Sequence, residues 1–504
     1  MLTLGQQKID AFALGVLGAA VVGVTVVSLV VPDLMPWSFL APAAIALVFC
    51  WALRWEITAW AWLWVFSHGL LDWPSWRIEM TGFFNMTVPR VIFLAAALVF
   101  LLHFLIRRWR LRFDRKVLWV MLVMLVYCAI SAALSGWRAR TYDVATAPYY
   151  RFIGSLLFPF VMFFLVYNAT YREKQINWAL AAICAYGWYA LYISYLQYAA
   201  NMGLSGARRW IWPAYINDPN FGIHFDRARG AFAGAPPQAF LLVLLFYADL
   251  FLIRKTQGHA VLRALSVVQA VLTPPAIFFT GLRSGYLAFG VCGVVWCLVA
   301  VRKRLGAAKL TFAALAAFVA AAVFWNNITQ TDRLTGGMAQ RSPIVSRMIL
   351  LEQSWEIIAQ HPLTGVGFGH FVDAQQQLQR DPGSLSGMSY GALVEHNLFL
   401  NMLAETGVVG LVGTIAIFIL LFLESVQLYR RLPPSTSGML SRLFVVLFWT
   451  ALANYLTDAT FRDPLWDVFS NGLFWSLAGL VVGYNRLLEP HSLDLPRGVP
   501  AGAA

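Results

Sequence analysis

Long apolar runs separated by short polar breaks fill most of the chain. They lie at about 11–31, 38–53, 56–72, 89–107, 117–136, 152–170, 177–199, 237–254, 262–280, 284–301, 309–326, 398–424, 440–458 and 464–485. A run of about 18 or more apolar residues crosses the ~30 Å hydrocarbon layer as a helix. The runs at 38–53 and 56–72 are short and fit re-entrant segments as well as crossings. Lipid leaves no water for unpaired backbone, so the runs must be helices, and the alternating short segments of a barrel are missing. The pattern predicts an all-α polytopic membrane protein of about 12–14 transmembrane helices, with one long outer loop that contains amphipathic helices.

Composition supports this class: 60% of residues are hydrophobic and 12% charged, and mean hydropathy is +0.66. The net charge of +13 does not come from a pooled basic patch. Basic clusters at 107–116, 171–174, 254–263, 301–304 and 430–442 fall on one side when the runs alternate, and that side is cytoplasmic by the positive-inside rule. Nucleic acid is therefore not an expected partner. The other side receives 73–88, 137–151, 200–236, the turn at Arg283, 327–397 and 459–463. Arg138, Arg140, Arg208, Arg209, Arg227, Arg229 and Arg347 land there against the charge rule, as expected of arginines kept for an anionic partner. All five cysteines sit in apolar runs without a CxxC pair and read as small core residues. The first run is too long for a cleaved leader and reads as an anchor helix. The chain thus divides into N-terminal transmembrane helices at 1–199 and central helices with arginine-bearing outer loops at 200–326. A long periplasmic loop at 327–397, C-terminal transmembrane helices at 398–485 and a cytoplasmic tail at 486–504 follow.

Candidate chemistry collects on the outer side. At 225–240, Arg227 and Arg229 precede Gly230, Gly234 and a Pro-Pro that opens a helix, a place where free N–H groups and guanidinium forks meet an anion. Arg283 stands alone between two apolar runs, as either a phosphate ligand or a snorkelling residue. Residues 343–360 read as an amphipathic helix with Ile344, Ile349, Leu351, Trp355 and Ile358 apolar and Arg347, Glu352 and Glu356 interrupting them. His361 then opens a turn with glycines at 365, 367 and 369, whose N–H groups are expected to be exposed. His396 sits at the mouth of the next span, where a base meets both water and a membrane-held substrate, or where it serves as an interfacial cap. Asn397, Asn401 and Glu405 follow four apart, a polar stripe entering the bilayer on one helix face.

These motifs, in this order, resemble the O-antigen ligase and O-antigen polymerase superfamily over about residues 220–420. The resemblance rests on R-x-x-G-x-F (Arg227, Gly230, Phe232), T-G-x-R (Thr280, Gly281, Arg283) and Ser346-Arg347 with Trp355. It continues through H-P-x-x-G-x-G-x-G from His361 to Gly369 and the motif from Glu395 and His396 through Glu405 to Gly410. The chain departs from the family pattern at AGAPP (233–237) and at Leu282, which leaves Arg227 and Arg229 both as candidates for the first arginine. The resemblance implies a multi-pass protein of the bacterial inner membrane with its site facing the periplasm. It implies a metal-independent glycosyltransferase that takes glycan from an undecaprenyl-diphosphate carrier, with no cofactor. The acceptor is a second lipid-linked glycan, a lipid A core sugar or a protein side chain, and membrane lipid surrounds the site. Chain-length regulators or flippases are further partners of such systems. In this reading Arg347 and Arg227 or Arg229 hold the diphosphate, with Arg283 in support. His396 is the general base or a further phosphate contact. Glu395, Asn397, Asn401, Glu405 and His361 support the site, and arginines replace the metal that a DxD pair would bind. The alternative from a different class is a lipid-linked glycan transporter or flippase, which requires basic groups deep in several spans and paired broken helices. A non-catalytic assembly subunit is the third reading.

Overall fold

The computed structural model describes residues 57–72, 86–107, 111–137, 148–170, 172–218, 222, 225–300, 341–378, 397–434 and 438–489. The chain forms two compact units, 1–111 and 112–504. In the first, helix α1 (Ile57–Leu70) is apolar all round and buried on nearly every face, as such a composition requires. Trp64 packs it on Phe93 of α2 (Val88–Arg107), with ring centroids 5.6 Å apart.

All regular elements among the described residues of the second unit are helices. Helices α3 (Lys116–Ser135), α4 (Pro148–Ala169), α5 (Lys174–Asn201), α6 (Ala235–Lys255), α7 (Ala260–Phe279) and α8 (Arg283–Ala300) are long and apolar enough to cross a membrane. So are α11 (Leu398–Arg431) and α12 (Arg442–Phe461), giving eight such helices among the described residues. Two further helices, α9 (Arg341–Gln360) and α10 (Phe371–Leu378), precede α11. The all-α polytopic class is thereby established. The expected runs at 11–31, 38–53 and 309–326 lie outside the described residues.

The last expected span is α13 (Val468–Leu487), and it faces protein rather than lipid. Every residue from Phe469 to Arg486 is buried, which explains how Ser470, Asn471, Ser476 and Asn485 are tolerated along it. It is the axis of the unit. Trp475 meets Phe160 of α4 at 4.9 Å, and Tyr455 of α12 donates its hydroxyl to Asn471 Oδ1 at 2.5 Å. Gly479 lets α4 approach so closely that a Cβ there would stand 2.7 Å from the Phe163 carbonyl oxygen. Small residues at such crossings are how helices pack without a hydrophobic driving force. Gly479→Val is expected to destabilise the fold by about 1–3 kcal/mol through overpacking. A thermal unfolding series in detergent checks this, and an unchanged midpoint would contradict the close approach.

Contacts between chain ends sort as the alternating topology requires. The basic end ties Arg115 to Glu489 at 2.8 Å, Arg431 to Glu489 at 3.1 Å, Glu173 to the Leu440 amide at 3.0 Å and Lys255 to the Gly438 carbonyl at 2.7 Å. The opposite end ties Gly136 to His370, Asn397 to Thr460 and Arg151 to Asp463. The candidate residues with described positions all belong to this second end.

Candidate functional site

Helix α11 starts where Asn397 caps it, its Oδ1 accepting the Phe399 and Leu400 amides at 2.9 and 3.1 Å. The helix then breaks at Gly407, which takes φ 66° and ψ −167°. A break inside an apolar span frees carbonyls that lipid cannot satisfy. Each is met from elsewhere. Ala404 O accepts from the Val366 amide at 3.0 Å, Glu405 O from the Gly367 amide at 2.9 Å, and Thr406 O from the Tyr127 hydroxyl at 2.8 Å. The glycine turn is therefore seated on the break. Glycine is required for this closeness: a Cβ on Gly365 would meet the Glu405 carbonyl carbon at 2.2 Å, and one on Gly407 the Leu363 oxygen at 2.1 Å.

This seating corrects the expectation of exposed N–H groups in that turn. The amides of Val366 and Gly367 go to α11, and that of Phe368 goes to Ser131 Oγ at 3.0 Å. His370 closes the turn. Its Nε2 lies 2.6 Å from the Gly136 carbonyl and its Nδ1 2.9 Å from Asp373.

The polar stripe on α11 is present, and its partners come from distant parts of the chain. Arg151, at the mouth of α4, places Nη1 at 2.5 and 2.6 Å from the two Glu405 oxygens and Nη2 at 2.5 Å from Asp463 Oδ2. Asn401 Nδ2 donates to the same Asp463 oxygen at 2.6 Å. The guanidinium lies between Phe368 and Trp466, 5.2 and 4.7 Å from their ring centroids. All four polar residues are almost wholly buried. One arginine thus joins the glycine turn, α11 and the α12–α13 connection. Neither Arg151 nor Asp463 was singled out from sequence; the signal was an arginine and an aspartate on the outer side, at the ends of two apolar runs.

A second cluster collects arginines. The Ala228 amide donates to the Phe279 carbonyl at 2.9 Å, pinning the 225–234 loop to the turn before α8. Arg227 consequently lies across Gly281, whose Cβ would stand 3.2 Å from Arg227 Cδ. The charges of both Arg227 and Arg347 reach Arg283, which links a loop and α9 electrostatically to the start of α8. The Nε atoms of Arg227 and Arg283 are buried without a hydrogen bond among the described residues. Asp226 stands 3.4 Å from Arg227, whereas neither Arg283 nor Arg347 meets a carboxylate among the described residues. On α9, Ile349 and Ile358 face inward as expected, but Leu351 and Trp355 are exposed.

Arg229 belongs elsewhere. It is 1% exposed, donates to the carbonyls of Ile216 and Phe232, and stacks 3.9 Å from the Phe225 ring centroid. Burial, which disfavours the charged form, pulls it down to about 10, so it stays cationic at neutral pH. Its backbone is held too, with the amides of Arg229 and Gly230 both donating to Gln197 Oε1 at 2.9 Å. His361 is exposed just after α9, and its carbonyl accepts the Gly365 amide at 3.0 Å. Glu395 and His396 lie outside the described residues.

Among known proteins, residues 268–415 match the family model described as O-antigen ligase. No curated protein matches the chain. The matched segment runs from α7 through the broken part of α11, and so includes Arg283, Arg347, the glycine turn and the polar stripe.

Proposed function

We propose, from the premise that residues 268–415 form an O-antigen ligase family region, that the protein moves glycan from an undecaprenyl-diphosphate carrier to an acceptor hydroxyl on the periplasmic face of a bacterial inner membrane. The observation that carries this reading is that Arg227 lies across Gly281, in the turn that leads to Arg283, while the charge of Arg347 on α9 also reaches Arg283. Like charges repel, and such a group is retained where a polyanion neutralises it. A diphosphate fits that requirement.

The acceptor oxygen attacks the anomeric carbon as the bond from that carbon to the diphosphate breaks. The bonding electrons leave on the diphosphate, where the arginines stabilise the growing charge. The acceptor proton passes to His396, one residue before the cap of α11. Asn397, Asn401 and Glu405 position that helix mouth through Thr460, Asp463 and Arg151. In this scheme the arginines supply what a metal ion would, and the acceptor is a lipid-linked repeat or a lipid A core sugar.

Purified protein is assayed with undecaprenyl-diphosphate-linked glycan, comparing the native chain with His396→Ala and Arg347→Ala. Each variant is expected to lose about 10²–10³-fold or more in rate. Native-like transfer by both, at normal folded levels, overturns the assignment, and complete loss with EDTA overturns the metal-independent scheme. Glycan from a deletion strain separates the two activities: single repeats left on the carrier mean polymerase, and full-length chains not joined to lipid A mean ligase.

A further inference from the structure

Helix α5 exposes a stripe that includes Lys174, Trp178, Ala181, Ala185 and Tyr192. On a helix that crosses the bilayer, such a stripe faces lipid. From Lys174 at the basic end, Tyr192 lies eighteen residues on, roughly 27 Å at about 1.5 Å per residue. That is close to the far boundary of the ~30 Å hydrocarbon layer. The chain after α5 folds back onto the stripe at this depth. The Tyr192 hydroxyl donates to the Trp210 carbonyl at 2.6 Å and the Tyr189 hydroxyl to the Trp212 carbonyl at 2.9 Å.

The returning segment has a fixed shape of its own. Two short 3-10 turns (Ser205–Trp210 and Ala214–Asn217) are joined by Asn217 Nδ2 donating to the Arg208 carbonyl at 3.0 Å. Ile211 and Ile216 pack inward on Ile193 of α5 and on Ala231. The inner side is therefore satisfied, yet the outer side is also apolar. Trp210 and Trp212 are 63% and 59% exposed, and Met202 and Leu204 still more so. Arg208 and Arg209 are exposed between them. Large rings, aliphatic side chains and arginines on one rigid surface at this depth match the phospholipid headgroup layer, apolar below and anionic above.

We infer that residues 202–212 form an outer-leaflet anchor, with Trp210 and Trp212 seated at the headgroup boundary and Arg208 and Arg209 binding anionic phospholipid. Charge complementarity with lipid phosphate and the depth set by α5 choose lipid over a soluble partner. The anchor does not depend on the proposed reaction.

The full chain is reconstituted in vesicles with a nitroxide at Trp210→Cys, and its collisions with oxygen and with a water-soluble nickel complex are compared with those of a label at Asp218→Cys. Oxygen access severalfold higher relative to nickel at 210 is expected; equal nickel access at the two sites overturns the anchor. Protection from nickel at 210 that appears only on adding lipid-linked glycan would assign the surface to glycan and overturn it equally. In a second arm, thermal midpoints are read in phosphatidylcholine with and without phosphatidylglycerol. The native chain is expected to gain stability from phosphatidylglycerol. Arg208→Gln/Arg209→Gln is expected to lose that gain while keeping its phosphatidylcholine midpoint. An undiminished gain in the double variant overturns the role of the two arginines, and the nitroxide arm decides the depth even if that variant folds poorly.

Discussion

Arg151→Met is expected to lose about 3–5 kcal/mol of stability, because it strands two carboxylates in a buried site. Glu405 and Asp463 are each about 1% exposed and draw on the same guanidinium. Removing it leaves like charges with only Asn401 and the Leu465 amide as donors among the described residues, both of them to Asp463. Lysine will not restore the fold fully, since a single ammonium has no fork to span Glu405 and Asp463 at once. The combined variant Arg151→Met/Glu405→Gln/Asp463→Asn removes the charges together and should recover much of the loss. Cys128, Cys292 and Cys297 are buried and form no disulfide, so their reaction with a thiol-reactive dye reports unfolding. A single variant as stable as the native chain, or a triple variant no better than the single one, would refute the account.

Arg151 also shows where sequence reading stops. Apolar period and basic clusters made the helical class, most crossings and the sorting of chain ends legible. The four-residue spacing of Asn397, Asn401 and Glu405 correctly marked one face of α11, because local spacing fixes a helix face. Their partners were not legible: Arg151 and Asp463 stand far from Glu405 in sequence, and only folding joins them. The glycine turn was misread for a related reason. Its amides look free until α11 breaks at Gly407, and a lone glycine in an apolar run does not announce a break. Likewise α13 has the composition of a span, and only packing shows that its polar residues are buried among helices.

The choice between Arg227 and Arg229, which the motif left open, should resolve as a split between activity and stability. Arg227→Gln is expected to fold normally and to lose about 10²–10³-fold in transfer rate, the scale set by removing one charge-stabilising donor. Its side chain lies across Gly281, two residues before Arg283, and its ion contact is with the adjacent Asp226. Arg229→Gln is expected to do the reverse. It removes the donors to Ile216 and Phe232 and the ring contact with Phe225, leaving buried carbonyls without their partner. The cost should be about 1–3 kcal/mol, with transfer by the surviving folded fraction little changed. Thermal midpoints and transfer rates per folded protein, measured on the same two preparations, separate the outcomes. Arg229→Gln with native stability and no activity would move the diphosphate to Arg229. It would also require the loop from Phe225 to Gly234 to rearrange when donor binds, because in the present arrangement Arg229 is buried against Ile216 and Phe225 while Arg227 lies across Gly281.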